Sequence, residues 1–364
     1  MLGRDERIPS GCAIAGFINE DGRRENGERI RKFIANMRER SNGLGGGFAA
    51  YGIYPEYKDY YALHMMYSSR KARTETETFL AEKVVVVKDE PIPTRKIPEI
   101  GDSPLLWRYF VEIPPLRRRE IIHEECYITD IVMTINSTID GAFVASSGKN
   151  MGAFKAVGYP EDVARFYCLE EYEGYMWTAH GRFPTNTPGW WGGAHPFSLL
   201  DWSVVHNGEI SSYGINYRYL EEHGYRCSLM TDTEVVVYAF DLLVRKHGLP
   251  VTLAAKVLAA PFWKDIDKIG DDDERELLRT LRIVYGSLLL NGPFSVLVAR
   301  SGELIALTDR IKLRPMVAAR QGATLLVATE EAAIREVCSS PDRIWIPEAG
   351  TPIIGRLKGG ATHA

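Results

Sequence analysis

Between residues 180 and 234 the sequence gathers side chains that could do acyl-transfer chemistry on an amino acid. Four short motifs carry them: His180-Gly181-Arg182-Phe183-Pro184-Thr185-Asn186-Thr187, Ala194-His195-Pro196-Phe197, His206-Asn207-Gly208-Glu209-Ile210 and Thr231-Asp232-Thr233-Glu234. An arginine such as Arg182 forks onto a carboxylate, and an aspartate such as Asp232 can hold an ammonium group. Asn207-Gly208 offers a side-chain amide beside an unhindered backbone N–H, the donor pair that an oxyanion needs. Together they describe a pocket for an α-amino acid with an acyl-transfer centre beside it, yet the segment holds no nucleophile. Plainer readings stand next to each residue. Arg182 could be a structural ion-pair partner, and Asp232 a helix N-cap. His180, His195 and His206 read as structural histidines, because no cysteine or carboxylate completes a zinc set around them. The glycine-rich stretch 43–47 is not a dinucleotide fingerprint. Phe48 stands where the third glycine is needed, and the stretch follows a helix and enters a strand.

These side chains need a scaffold. Residues 12–17 form a short apolar run that ends at a turn over 19–22 and predicts a buried strand. Ile30, Phe33, Ile34 and Met37 recur at helical spacing within 27–40. From 54 to 125 the texture changes, with clustered tyrosines, a valine run at 84–87 and prolines at 91, 93, 98 and 104. This segment reads as an inserted α+β subdomain with its own small core, and Arg117-Arg118-Arg119 within it as a solvated helix start. Short strands are expected at 131–135, 142–145, 176–179 and 203–206. Helices are expected around 218–224, over 232–247, and at 275–284 behind the acidic residues 271–274. Strands return at 294–299, 304–307, 324–328 and 344–346, and residues 356–364 read as a loose tail.

The whole-chain numbers exclude several classes. Among 364 residues, 44 Lys and Arg face 48 Asp and Glu, a net charge of −4 that gives no reason to expect nucleic acid or an anionic membrane. No apolar run is long enough to span a membrane, and the first residues lack the apolar centre of a secretory signal. Five scattered cysteines fit neither a disulfide framework nor a metal-binding pair, so free thiols and a cytoplasmic setting are expected.

Joined to Cys12-Ala13-Ile14-Ala15-Gly16-Phe17, the four motifs resemble those of the class II glutamine amidotransferases. The wording is most similar to the glutamate synthase branch, as a stand-alone amidotransferase subunit. Asp309-Arg310, Leu313-Arg314-Pro315 and Ala328-Thr329-Glu330 resemble that branch's closing hairpin. The resemblance spans roughly 12–53 and 130–335 and leaves 54–125 unexplained. It implies an α+β fold, the N-terminal-nucleophile αββα sandwich, over 12–355. It implies Cys12 as the nucleophile once residues 1–11 are removed as a propeptide. The α-amine so freed titrates near ~7.7–8.0 and can serve as base for its own thiol. By the same resemblance, Asn207 and the Gly208 N–H hold the oxyanion, Arg182 binds the α-carboxylate, Asp232 binds the α-ammonium, and Phe183 and Thr185 line the pocket. The implied substrate is L-glutamine, and the implied partner is a separate synthase subunit that receives ammonia. FMN and iron–sulfur clusters are expected on that partner, with no cofactor or metal in this chain. Two departures stand out: Ala13 replaces the glycine that many members carry, and eleven residues precede Cys12. The alternatives are a non-catalytic glutamine-binding or regulatory subunit, a proenzyme with Cys12 unprocessed, and an N-terminal-nucleophile hydrolase of other amides.

Overall fold

The computed structural model describes residues 11–183, 189–229 and 231–358. Two antiparallel sheets form its centre. The larger has seven strands, in the order Arg343–Trp345, Val317–Gln321, Thr324–Ala328, Ala13–Asn19, Met176–Gly181, Gly46–Tyr51 and Met151–Ala156. The smaller has five, in the order Phe197–Leu199, Trp202–Gly208, Phe294–Arg300, Glu303–Thr308 and Ile353–Arg356.

The cysteine strand, Ala13–Asn19, shows why the sheets stack. Side chains alternate faces along a strand. Ile14 and Ile18 point into a cluster with Ala49, Met176, Val205, Leu297 and Leu304 between the two sheets. Ala13, Ala15 and Phe17 point the other way, onto Phe33 and Ile34 of the helix Glu28–Ala35. A strand covered on both faces is apolar throughout, hence the unbroken run that the sequence displays. Helices Pro160–Phe166 and Glu331–Val337 also lie on that outer face. On the outer face of the smaller sheet packs the helix Asp232–Phe240, with Tyr213–Glu222 against it. The layers are therefore helix, sheet, sheet, helix, and the α+β, αββα class is the one expected.

The segment after residue 54 departs from expectation in three ways. It builds a four-stranded sheet, Val85–Pro91, Leu105–Glu112, Tyr61–Tyr67 and Ala142–Ser146, carrying helices Arg70–Lys83 and Glu124–Thr138. Its chain thus continues past 125 as far as Ser146. Residues 131–135 are helical, not a strand; their β-branched side chains suggested one, but Ile128, Ile131, Val132 and Ile135 recur at helical spacing and are buried. Nor is its core separate. Ala62, Met66 and Phe110 join Phe33 and Phe48 in one cluster, while Leu63, Tyr109 and Ile128 join Trp202 and Phe240 in another.

At the C-terminal end, Arg356 closes a strand, and the Leu357 and Lys358 amides donate to the Gly302 and Glu20 carbonyls. Those three residues are not a loose tail; residues 359–364 lie outside the described ones.

Candidate active site

The antiparallel register pairs Ala13 with Gly181, so Cys12 emerges opposite Arg182 and Phe183. The Phe183 amide donates to Cys12 Sγ at 3.3 Å, and the Phe183 carbonyl lies 3.9 Å from the same sulfur. Burial pushes the Cys12 thiol pKa up, against the pull of the Phe183 backbone, Arg182 and Arg314; Asp232 adds to the rise. Such a thiol needs a base close at hand. Arg40 Nε donates to the Cys12 carbonyl at 3.4 Å and Arg40 Nη1 pairs with Glu330 at 2.8 Å. Ala13, the departure from the family's usual glycine, is accommodated because its methyl group is buried in the helix-facing cluster.

Arg182 is buried, and its backbone is fixed on both sides. Its amide donates to Gly45 O at 2.8 Å, while its carbonyl accepts from Ser41 Oγ at 3.1 Å and Asn42 N at 3.2 Å. Burial lowers the Arg182 pKa, and the neighbouring Cys12 opposes that shift. The glycine stretch packs closely on this arginine and on the backbone around it. A Cβ on Gly45 would press within 3.0 Å of Arg182 Cδ, one on Gly46 within 2.8 Å of Pro160 Cα, and one on Gly47 would collide with the His195 carbonyl. Close backbone approach explains these glycines.

Asn207 and Gly208 end the strand Trp202–Gly208. Asn207 is 1% exposed, yet neither its Nδ2 nor its Oδ1 has a partner among the described residues. Leaving a buried amide unbonded costs about 1–3 kcal/mol. Gly208 has φ +150°, and a Cβ there would strike the Pro293 carbonyl oxygen. No other residue fits that position without strain.

The helix Asp232–Phe240 is capped by Thr231, whose Oγ1 accepts from Thr233 N at 3.4 Å. The cap role considered for Asp232 therefore belongs to Thr231. Asp232 Oδ2 accepts from the Ile210 amide at 2.9 Å, which ties it to the Asn207-Gly208 turn; its Oδ1 lies 3.6 Å from His206 Nδ1 and 3.3 Å from Thr233 Oγ1. Burial alone would raise the Asp232 pKa, but His206, the Ile210 amide and the Thr233 hydroxyl outweigh it and lower the pKa.

Beneath this lies a polar layer that sequence reasoning left unconnected. Thr233 Oγ1 meets His195 Nε2 at 2.9 Å and His206 Nδ1 at 3.1 Å. His180 Nε2 meets the His206 carbonyl at 2.9 Å, and the His180 and His195 rings stack at 3.9 Å. Burial holds His180 neutral, with a pKa near 3, and pushes His195 well below its ordinary value. Neutral, stacked rings fit the structural reading of these histidines. Among the described residues, metal-ligand spacing occurs only at Cys168, Glu170 and Glu171, where Arg95 already pairs with Glu170 at 2.8 Å.

Trp190 and Trp191 pack edge-on against Phe143 and Phe166. Thr185 and Asn186 lie outside the described residues. The structure thus gathers Cys12, Arg182, Phe183 and Asp232, and ties Asp232 to the turn that follows Asn207-Gly208. It adds Arg40, Thr233 and Arg314, to which the sequence assigned no role. Arg314 is the hardest of these to foresee. It reaches Cys12 only because the strands Val317–Gln321 and Thr324–Ala328 fold back so that Ala15 pairs with Ala328.

The chain is similar to several known proteins. The family model for class-II glutamine amidotransferases matches residues 56–340, most of the chain. An uncharacterized protein of Archaeoglobus fulgidus is 53% identical over 95% of this chain and 92% of its own length. A provisionally named glutamine amidotransferase of Methanothermobacter thermautotrophicus is 26% identical over 91% of this chain and 95% of its own. The solved glutamine phosphoribosylpyrophosphate amidotransferase of B. subtilis is 14% identical, with a TM-score of 0.45, over 96% of this chain and 50% of that one. This chain thus spans about half the length of that structure's chain. Among the described residues no helix is long and apolar enough to cross a membrane. On the family match, the chain belongs to the class-II glutamine amidotransferases.

Proposed function

We propose that this chain is the glutaminase subunit of a two-protein amidotransferase and passes ammonia to a separate, glutamate-synthase-like partner. The observation that carries this reading is the buried Asn207 amide, with neither end bonded among the described residues, beside Gly208, whose backbone conformation only glycine takes without strain. A buried donor kept without a partner is preorganised for charge that appears only during reaction.

The steps follow from the residues. With residues 1–11 removed, the Cys12 α-amine takes the thiol proton and the sulfur attacks the side-chain amide carbon of L-glutamine. Asn207 Nδ2 and Gly208 N–H receive the oxyanion. Arg182 forks onto the α-carboxylate and Asp232, held ionised, pairs with the α-ammonium. The proton returns to the leaving nitrogen, ammonia departs, and water cleaves the thioester to glutamate. Phe183 aligns the sulfur through its backbone, and Thr185 lines the pocket. Free ammonia diffuses away, so a partner must receive it. FMN and iron–sulfur clusters belong to that partner, and this chain works without cofactor or metal. Five free cysteines fit a reducing, cytoplasmic setting.

Intact mass after exposure to an electrophilic glutamine analogue tests this directly. The expected product begins at Cys12 and carries one adduct on that residue. A full-length, unmodified chain overturns the proposal in favour of a glutamine-binding or regulatory subunit. Co-purification with a synthase-like protein, and ammonia transfer within that complex, tests the partner.

A further inference from the structure

Arg314 has no role in the steps above. Other arginines of the described chain are paired with carboxylates: Arg40 with Glu330, Arg320 with Glu20, Arg245 with Asp241. Arg314 makes no hydrogen bond and no ion pair with any described residue, and its Nε is buried without a partner. Its position is built, not accidental. Buried Asp309 accepts from the amides of Phe294 at 3.2 Å, Ile311 at 3.0 Å and Leu313 at 2.8 Å, fixing the turn that delivers Arg314. That turn also braces the strand Phe294–Arg300, whose first residue pairs with Gly208.

The guanidinium lies on the amino side of the nucleophile. Arg314 Nη1 is 3.8 Å, and Arg40 Nη2 3.2 Å, from where a Cβ on Gly11 would sit. Cutting the Gly11–Cys12 peptide bond would therefore create an ammonium group next to the point that two guanidinium groups approach, one of them without a carboxylate partner among the described residues. A like charge at that range disfavours protonation. The other charged groups facing this point are Glu330 on Arg40, and Arg182 and Asp232 on the substrate side of the sulfur.

We propose that Arg314 is a positioning residue for the base: its unpaired charge holds the Cys12 α-amine neutral, and therefore able to take the thiol proton, at pH values where an ordinary N-terminal amine is largely protonated. This rests on the glutaminase reading for its purpose, but not for its test.

The test uses the chain prepared to begin at Cys12, which keeps every described strand and helix. The amine, labelled with ¹⁵N, is titrated by NMR in the wild type, Arg314→Met and Arg314→Lys. The wild-type pKa is expected below the ordinary ~7.7–8.0. It should rise by about one unit in Arg314→Met and stay low in Arg314→Lys. The acid limb of kcat/KM for glutamine should move up with it. A wild-type amine titrating at or above the ordinary value overturns the inference without any variant, as does an unchanged pKa in Arg314→Met. A raised glutamine KM with an unmoved amine makes Arg314 a carboxylate clamp and also overturns it. If the amine titrates as expected but glutamine is not turned over, the glutaminase reading fails and this inference stands.

Discussion

Two buried polar sites, Asp241 and Asn207, are finished in opposite ways. Asp241, fully buried where the helix Asp232–Phe240 runs on into the π-helical turn Asp241–Lys246, is saturated. Arg245 donates to both its oxygens at 2.6 Å, and Tyr225 OH donates at 2.6 Å. Asn207, equally buried at the end of its strand, bonds nothing through its side chain among the described residues. Polar groups inside a protein are bonded almost without exception, because an unmet donor or acceptor is destabilising. A satisfied site holds the fold together. Asn207 shares its lack of a partner with several other buried polar side chains, among them Thr178 and Ser295, and what sets it apart is its place next to the glycine turn at Gly208.

That contrast can be broken by mutation at each end. Asp241→Ala leaves the Arg245 charge without its partner, so the chain should lose about 3–5 kcal/mol of stability. Chemical denaturation measures it, and turnover per folded molecule should be unchanged. Asn207→Ala should do the reverse. Turnover should fall by roughly 10²–10³, or about 2.7–4 kcal/mol in the barrier, with glutamine affinity within a few-fold and thermal stability kept or raised. A large affinity loss with normal turnover would move Asn207 out of the oxyanion site. Arg182→Ala ranks next. Loss of a charge-assisted fork of about 1.5–3 kcal/mol should raise the glutamine KM by roughly 10–100-fold. A normal KM with a lowered melting temperature would return Arg182 to the structural ion-pair role.

How much of this was legible in the sequence follows from the range of the interactions. The alternation of Ala13, Ile14, Ala15 and Phe17 and the spacing of Ile30, Phe33 and Ile34 are local, and they predict the central strand and its helix. The candidate pair Asn207-Gly208 could be picked out for the same reason, since the two residues are neighbours in the chain. Residues 131–135 misled because β-branched side chains favour strands, while packing of the helix Glu124–Thr138 on the strand Ala142–Ser146 decided for a helix. The separate core assigned to 54–125 failed for a related reason: alternation shows that a strand has an apolar face, not which cluster that face joins. Thr233 and Arg314 were not legible at all. The first acts on histidines 27 and 38 residues away, and the second reaches Cys12 through a hairpin returning from the far end of the chain.

The smallest expected effect lies between the saturated and the unsatisfied site. Lys155 is fully buried, donates to the Gly192 and Pro196 carbonyls at 2.9 and 3.2 Å, and lines a small cavity with Glu234. Burial lowers the Lys155 pKa to about 7 and raises that of Glu234 to about 7. The two signs oppose. Glu234 holds its proton in the folded state after the unfolded chain has released it, so its contribution is full below the ordinary carboxylate range and is lost as pH rises through 7. Lys155 gives up its proton more readily when folded, so its contribution is full above the ordinary lysine range and is lost as pH falls through 7. Stability from the pair should therefore pass through a minimum near pH 7. Between pH 7 and 9 only the lysine half changes, and the wild type should gain about 1–2 kcal/mol over that interval. Lys155→Met should flatten this rise while leaving the fall below pH 7 in place. Denaturation midpoints across pH 5–9 measure both limbs. A Lys155→Met curve that still climbs above pH 7 would show that the buried ammonium is compensated as fully as Asp241.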